Sequence, residues 1–346
     1  MMSLAYNPFK SILIMFDYQK AKTLLAACPL YKETVIRTIF FNKQEILIKD
    51  ESTRMGLGSF KALGGFYAVA QLIANEVNRP LAPDEYFSFA IQQIARDMTF
   101  VCASAGNHGL SVASGAKTFG AKSRIHLAKT VPEDFANRLR AKGAVVIRSG
   151  LTYEDSVAAA TEDADLNNAI HLADGSWLGY TEPPRLVMEG YTVIAEELRM
   201  NFEHNHCWPT HVYLQAGVGG FAAAISYMIR LNWQVQPQII IVEPALAPCL
   251  SVSVKKNKLQ TVQGCASNMG RLDCKTPSLL AFEILQHQAD KFTTITDDEA
   301  MYYVTVAQRL GFDTTPSGVA GLAALIRDSA ENHYPLAIIS EGNTNG

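Results

Sequence analysis

A single lysine, Lys61, stands between glycine-rich flanks in Gly58-Ser59-Phe60-Lys61-Ala62-Leu63-Gly64-Gly65, where a strand-like run (Ile46 to Asp50) gives way to a helical pattern. Taken alone, a lysine in the first turn of a helix is most simply a solvated residue. Its setting allows another chemistry. A partly desolvated amine has a lowered pKa and can condense with an aldehyde to form an imine. Gly58, Gly64 and Gly65 would let a bulky planar group approach the backbone, and Phe60 would bury the helix start.

Three further segments could serve the same chemistry. Gly217-Val218-Gly219-Gly220 lies between a strand ending at Gln215 and a helix beginning at Phe221. Its N–H groups and the helix N-terminus suit a phosphate dianion, although an ordinary tight turn or a nucleotide-binding turn reads much the same. The full GxGxxG pattern and the P-loop lysine are missing, which disfavours nucleotides. Ser104-Ala105-Gly106-Asn107-His108-Gly109 also follows a strand and opens a helix, so its amides can cup a carboxylate. Asn107 could donate to a phenolate oxygen beside an imine, and His108 suits a structural place at the helix start better than a catalytic base. In Ser340-Glu341-Gly342-Asn343, the Ser340 hydroxyl could meet a pyridine nitrogen, or simply end a strand. Each segment alone is weak. Together, in this order, they point to pyridoxal 5'-phosphate (PLP).

His204, His206, Cys207 and His211 form the one group that invites a zinc reading. No second ligand cluster has matching spacing, and Trp208-Pro209 marks a linker, so no metal is expected.

The elements that must carry these loops alternate. Phe60, Leu63, Tyr67, Ala70, Ala74 and Val77 recur at three and four residues and make one apolar helical face. Short strands are expected at Thr99–Cys102, Arg124–Leu127, Ala144–Ile147, Val212–Gln215, Ile239–Val242 and Leu336–Ser340. Helices are expected at Gly109–Phe119, from Pro132 onward, and at Pro184–Met200, Phe221–Arg230 and Ser317–Ile326. Strands separated by helices imply parallel sheets covered on both faces, with ligands bound beyond the strand ends. Every candidate loop falls at such an end.

Composition narrows the class. A chain of 346 residues, 48% hydrophobic, suits two domains or one large one. Thirty basic and 33 acidic residues give a net charge of −3 with no basic run, which argues against nucleic acid. Cysteines at 28, 102, 207, 249, 265 and 274 have no CxxC spacing, and buried free thiols in a reducing compartment are expected. The start lacks a signal-peptide layout, and Ile12 to Phe16 is too short to span a bilayer, so a cytoplasmic protein is expected.

Over nearly its whole length, from Pro29-Leu30 onward, the chain resembles the tryptophan-synthase-like (fold type II) PLP enzymes, and among them the diaminopropionate ammonia-lyases. The resemblance rests on Lys49-Asp50-Glu51-Ser52-Thr53-Arg54-Met55-Gly56-Leu57 leading into Ser59-Phe60-Lys61, and on Asp174-Gly175-Ser176-Trp177-Leu178-Gly179-Tyr180. Gln215-Ala216-Gly217-Val218-Gly219, Gly270-Arg271-Leu272-Asp273-Cys274-Lys275-Thr276-Pro277-Ser278 and Ser340-Glu341-Gly342-Asn343-Thr344 add to it. Arg54 with Gly56-Leu57 is the most discriminating piece.

The resemblance implies an α/β fold of two parallel-sheet domains of the tryptophan synthase β-like kind. Residues 1–61 and 176–346 would form a large PLP-binding domain, and 62–175 a small mobile domain closing over substrate. Lys61 would hold the cofactor as an imine and remove the α-proton, with Asp174 assisting the leaving group. Asn107 would hold the phenolic oxygen, Gly217, Val218, Gly219 and Gly220 the phosphate, and Ser340 would face the pyridine nitrogen. Ser104, Ala105, Gly106, Asn107 and His108 would grip the substrate carboxylate. Ala105 departs from the lyase pattern, which has an aspartate there. A methyl group transfers no proton, so selectivity for L-amino acids is expected. The implied reaction is α,β-elimination of a small L-amino acid by a homodimer, with L-serine or L-threonine dehydration and β-replacement as alternatives.

Overall fold

The structure is a computed structural model and describes residues 15–328 and 333–343. Residues 1–14, which hold the start of the Ile12–Phe16 run, and Thr344 of the last motif lie outside them. Helix α1 (Tyr18–Ala26) is capped by Asp17, whose carboxylate accepts from the Lys20 amide at 3.0 Å. Strands β1 (Ile36–Phe41) and β2 (Gln44–Asp50) form an antiparallel hairpin. Its turn residues Asn42 and Lys43 both have positive φ, 48° and 67°, which matches the twist of a tight hairpin. This corrects the expectation of parallel pairing throughout. The left-handed Lys43 is not a residue type that announces such a turn.

Helix α2 (Lys61–Val77) begins one residue after Phe60, as the periodicity predicts. Then come α3 (Phe89–Ala95), β3 (Thr99–Ala103), α4 (Asn107–Phe119), β4 (Lys122–Leu127), α5 (Glu133–Ala141), β5 (Val145–Arg148), α6 (Tyr153–Leu166) and β6 (Ile170–His171). Pro132 stands just before α5 with extended ψ of 149° rather than inside its first turn. The long α7 (Glu182–Asn205) leads to β7 (His211–Gln215), α8 (Gly220–Asn232), β8 (Gln238–Pro244), α9 (Cys249–Lys255), α10 (Leu279–Gln288) and β9 (Lys291–Ile295). Helices α11 (Asp297–Arg309) and α12 (Pro316–Arg327) precede β10 (Pro335–Ile339).

Among the described residues these strands make two sheets, ordered β1-β2-β10-β7-β8-β9 and β5-β4-β3-β6. Apart from the β1–β2 hairpin every pairing is parallel. Ile339 pairs with Asp50 and Gln215 with Val242, so the loops after β2, β10 and β7 leave the larger sheet at one end. That end is where open parallel sheets bind ligands.

Helix α2 joins the two sheets by packing on α4 and α7. Gly64 and Gly65 make this possible. A Cβ on Gly64 would lie 2.3 Å from the Tyr191 ring, and one on Gly65 2.3 Å from Ser111 Oγ. These two glycines therefore serve helix packing, which corrects the expectation that they make room for a planar ligand.

The loop before Lys61 is fixed by a buried ionic cluster. Arg54 donates to both oxygens of Glu51 at 2.7 Å and to both oxygens of Glu197 at 2.8 Å. Lys49 Nζ lies 2.6 Å from Glu197, and Tyr31 and Thr34 donate to the two carboxylates. All four charged side chains are shut off from solvent. A cluster so fully bonded offsets its own desolvation only while every partner is present. Arg54 thus anchors the lysine loop to α7.

Candidate active site

Lys61 Nζ meets Asp174 Oδ2 at 2.5 Å, joining the head of α2 to the loop that follows β6. Each side chain is about a fifth exposed (23% and 21%), so the pair sits in a cleft that solvent reaches. Burial pulls the Lys61 amine down, as the sequence predicts, but the Asp174 carboxylate outweighs burial and leaves it raised. Burial also acts to raise Asp174, but the opposing pull of Lys61 holds it well below the carboxylate range. The expectation of a lowered lysine is therefore corrected by a partner that lies too far away in sequence to be read.

The Ser104–Gly109 loop closes on this pair. Ser104 Oγ accepts from the Gly106 amide at 3.2 Å, and a Cβ on Gly109 would strike the Ser104 carbonyl at 2.4 Å. A Cβ on Gly106 would meet nothing within 4 Å, so the loop borders open space, with half-buried Ala105 beside it. His108 is buried and its Nε2 lies 2.8 Å from the Leu172 carbonyl, an anchoring contact to the strand before Asp174. Burial is the main reason its ring is held below the ordinary range, hence neutral.

Asn107 is buried and donates through Nδ2 to Glu341 Oε2 at 2.5 Å, while its Oδ1 is buried without a partner among the described residues. Sequence reasoning gives Glu341 no role. Its one signal is an acidic side chain directly after Ser340, inside a loop full of small residues. Ser340 is buried just past β10, and its carbonyl accepts from Phe60 N at 3.1 Å. The Gly342 amide donates to the Gly58 carbonyl at 3.0 Å. The last strand's loop is thereby stitched to the lysine loop.

The glycine turn lies between β7 and α8, with Gly219 at φ +98°, a conformation that favours glycine. Helix α8 starts at Gly220, and its first-turn N–H groups lack acceptors within the helix. A Cβ on Gly217 would come 3.0 Å from Cys274 Sγ, and one on Gly220 would come 3.8 Å from the Asp174 carbonyl. Val218 O accepts from the Ser278 amide at 2.9 Å. Ser278 Oγ in turn contacts Ser176 Oγ at 2.7 Å and accepts from Ser176 N at 3.0 Å. Ser176 and Ser278 thus tie the Asp174 loop to the glycine turn, a function that their place in the motifs does not reveal. Tyr153, at the start of α6, keeps an exposed ring yet stands within electrostatic reach of Asp174.

The expectation of buried thiols needs adjustment. Cys28, Cys102 and Cys249 are buried free thiols, whereas Cys207 and Cys265 are exposed and Cys274 is half-buried beside the site. Among the described residues, no three His, Cys, Asp or Glu side chains gather in a way that could hold a metal, and His211 stacks on His333 at 3.8 Å. No helix among them is long and apolar enough to cross a membrane.

One cleft therefore combines an amine, a glycine turn at a helix N-terminus, and a buried amide that keeps one Nδ2 hydrogen to donate after its bond to Glu341. An aldehyde, a phosphate and a phenolic oxygen on one planar molecule match these three, so the residues present fit PLP. Comparison with known proteins agrees. The family model described as "Pyridoxal-phosphate dependent enzyme" matches residues 34–339. Diaminopropionate ammonia-lyase of Escherichia coli (strain K12) is 33% identical over 302 residues, covering 85% of this chain and 75% of that one. The enzyme of the same name from Salmonella typhimurium is 34% identical over 306 residues, covering 84% and 75%. A crystal structure of the E. coli protein with an aminoacrylate-PLP azomethine reaction intermediate superposes with a TM-score of 0.83 at 28% identity, covering 97% of this chain and 91% of that one. The amine, the glycine turn and these likenesses lead to one conclusion: the chain belongs to the family of pyridoxal-phosphate dependent enzymes and groups within it with the diaminopropionate ammonia-lyases.

Proposed function

We propose that the protein is an ammonia-lyase that performs α,β-elimination on a small L-amino acid of the 2,3-diaminopropionate kind, yielding a 2-oxo acid and ammonia. The observation that carries this reading is the Lys61–Asp174 contact, which sets a base and its counter-charge together in the cleft. Bound PLP supplies the electron sink that makes a Cα–H bond acidic. Lys61 Nζ would hold the cofactor, Asn107 its phenolic oxygen, Gly217 to Gly220 its phosphate, and Ser340 its pyridine nitrogen. The Ser104 to His108 loop orients the substrate carboxylate through fixed backbone N–H groups, which need no reorganisation during reaction.

Once freed by the substrate's own amine, Lys61 Nζ would take the Cα proton. Asp174 is held ionised and has no proton of its own to give, so it steadies the ammonium of Lys61 and steers that proton to the departing β-amine. One proton thus leaves carbon and arrives on nitrogen. Neutral His108 keeps the β6 end and the carboxylate loop in register. With Ala105 opposite, no second proton-transfer group faces the substrate from that position, which supports selectivity for the L-enantiomer. The same residue favours a second reading, L-serine or L-threonine dehydration.

Residues 62–175 would close over the substrate and expel water, as mobile elements around active sites do. A cytoplasmic homodimer completes the reading. The test is to incubate the PLP-loaded protein separately with L-2,3-diaminopropionate, L-serine and L-threonine and to follow 2-oxo acid and ammonia. Turnover of the diamine well above both hydroxy acids is expected. Faster serine or threonine turnover selects the second reading, and the absence of 2-oxo acid from all three rejects both.

A further inference from the structure

Glu341 belongs to none of the roles above, yet its carboxylate is buried in the middle of the site. Oε2 accepts from Asn107 Nδ2 at 2.5 Å and lies 3.1 Å from Arg271 Nε, an ion pair without the alignment of a hydrogen bond. Oε1 accepts from the Thr315 hydroxyl, which also caps α12 by accepting from Gly318 N at 3.0 Å. The Glu341 carbonyl accepts from Thr314 Oγ1 at 2.6 Å, and Glu341 bridges Ser59 in the lysine loop. The carboxylate is therefore held on several sides before it meets Asn107.

We propose that Glu341 is a positioning residue that sets which end of the Asn107 amide faces the cofactor, and so controls the charge on the cofactor's phenolic oxygen. This rests on the reading of Asn107 given above. An amide has a donor end and an acceptor end of nearly the same shape, and packing alone distinguishes them poorly. A carboxylate distinguishes them at once, because it attracts Nδ2 and repels Oδ1. The cost is visible, since Oδ1 is left buried and without a partner among the described residues. An amide free to choose would not leave its oxygen so. Nδ2 carries two hydrogens, and Glu341 takes one. The other remains for a phenolic oxygen, fixed in direction by the charge-assisted bond on its far side.

The groups facing Glu341 tune this device. Burial raises its carboxyl, while Arg271, Thr315, Lys61 and Asn107 act in the opposite sense. Arg138 on α5 also feels its charge, from the side of the smaller sheet. Neutral glutamine at 341 could itself donate to Asn107 Oδ1, so it would relax the selection without opening a cavity.

The experiment compares the parent, Glu341→Gln, Asn107→Ala and the double variant, each loaded with PLP. It reads the visible absorbance band of the bound cofactor, the pH at which that band titrates, and the PLP dissociation constant. Glu341→Gln is expected to move the band's titration by about one pH unit or more and to weaken PLP at least tenfold. The double variant is expected to match Asn107→Ala alone. An unmoved band in Glu341→Gln, or effects that add to those of Asn107→Ala, would overturn the proposal. A band unmoved by Asn107→Ala would instead reject the reading of Asn107. Should Glu341→Gln fail to fold, Thr315→Val decides, because it frees one carboxylate oxygen and must shift the titration in the same direction by a smaller amount. An unmoved titration there counts against the proposal.

Discussion

Lys61 Nζ and Asp174 Oδ2 are 2.5 Å apart although 113 residues separate them in the chain. Their charges stabilise each other, so each partner's titration is set by the other. Asp174→Asn leaves burial as the main influence on Lys61, and the amine's pKa falls. The rise of kcat with pH should therefore shift to lower pH. The plateau should fall about 100-fold, within the range of a lost acid–base group. Steady-state kinetics from pH 6 to 10 checks both, and an unshifted profile contradicts the pairing.

Lys61→Ala removes the group assigned to proton transfer and to holding the cofactor. Elimination should drop by about 10³-fold or more, in keeping with the loss of a general base that also binds covalently. Single-turnover measurement of 2-oxo acid release tests this. Parent-like turnover would remove Lys61 from the mechanism.

The Arg54 cluster predicts a stability effect with no direct chemical role. Glu197→Ala leaves Arg54 and Lys49 charged, buried and short of a partner. Breaking such a pair costs about 3–5 kcal/mol. Urea unfolding should show a much lower midpoint, and any soluble fraction should bind PLP weakly because the loop before Lys61 has lost its anchor.

Gly219→Ala places a Cβ at φ +98° and 2.9 Å from Leu250 Cδ1. The turn must shift, and its N–H groups then no longer converge on one phosphate. PLP affinity should fall at least tenfold by fluorescence titration, with a smaller effect on pyridoxal, which lacks the phosphate. Equal losses for both ligands would show that the turn does not hold the phosphate.

Glu243 offers a pH dependence away from the cleft. Burial pushes its carboxyl up to about 7, against the pull of the Leu250 and Ser251 amides at the start of α9. A folded-state pKa above the ordinary 4.5 means the contribution is full below that value and is lost as pH rises through about 7. The loss is on the order of 3 kcal/mol. Urea midpoints of the parent should fall from pH 5 to pH 8, and Glu243→Gln should flatten that change.

Much of this arrangement is local and therefore legible in order along the chain. The apolar face of α2, the glycine turn before α8 and the strand-to-helix switch at Gly106 all follow from neighbours a few residues apart. The β1–β2 hairpin escapes because Lys43 adopts a left-handed conformation that its residue type does not signal. The packing use of Gly64 and Gly65 escapes because Tyr191 and Ser111 arrive from other helices.

What the chain determines by itself is a set of loops, each placed after a strand and each chemically apt. Only the tertiary structure decides that they converge. It reverses the shift expected for Lys61 by bringing up Asp174, turns Arg54 into an anchor through Glu197, and sets Glu341 against Asn107. The reason is physical. Hydrophobic periodicity and turn geometry act over a few residues, whereas the charge a group carries depends on whatever lies within a few ångströms of it, wherever in the sequence that neighbour began.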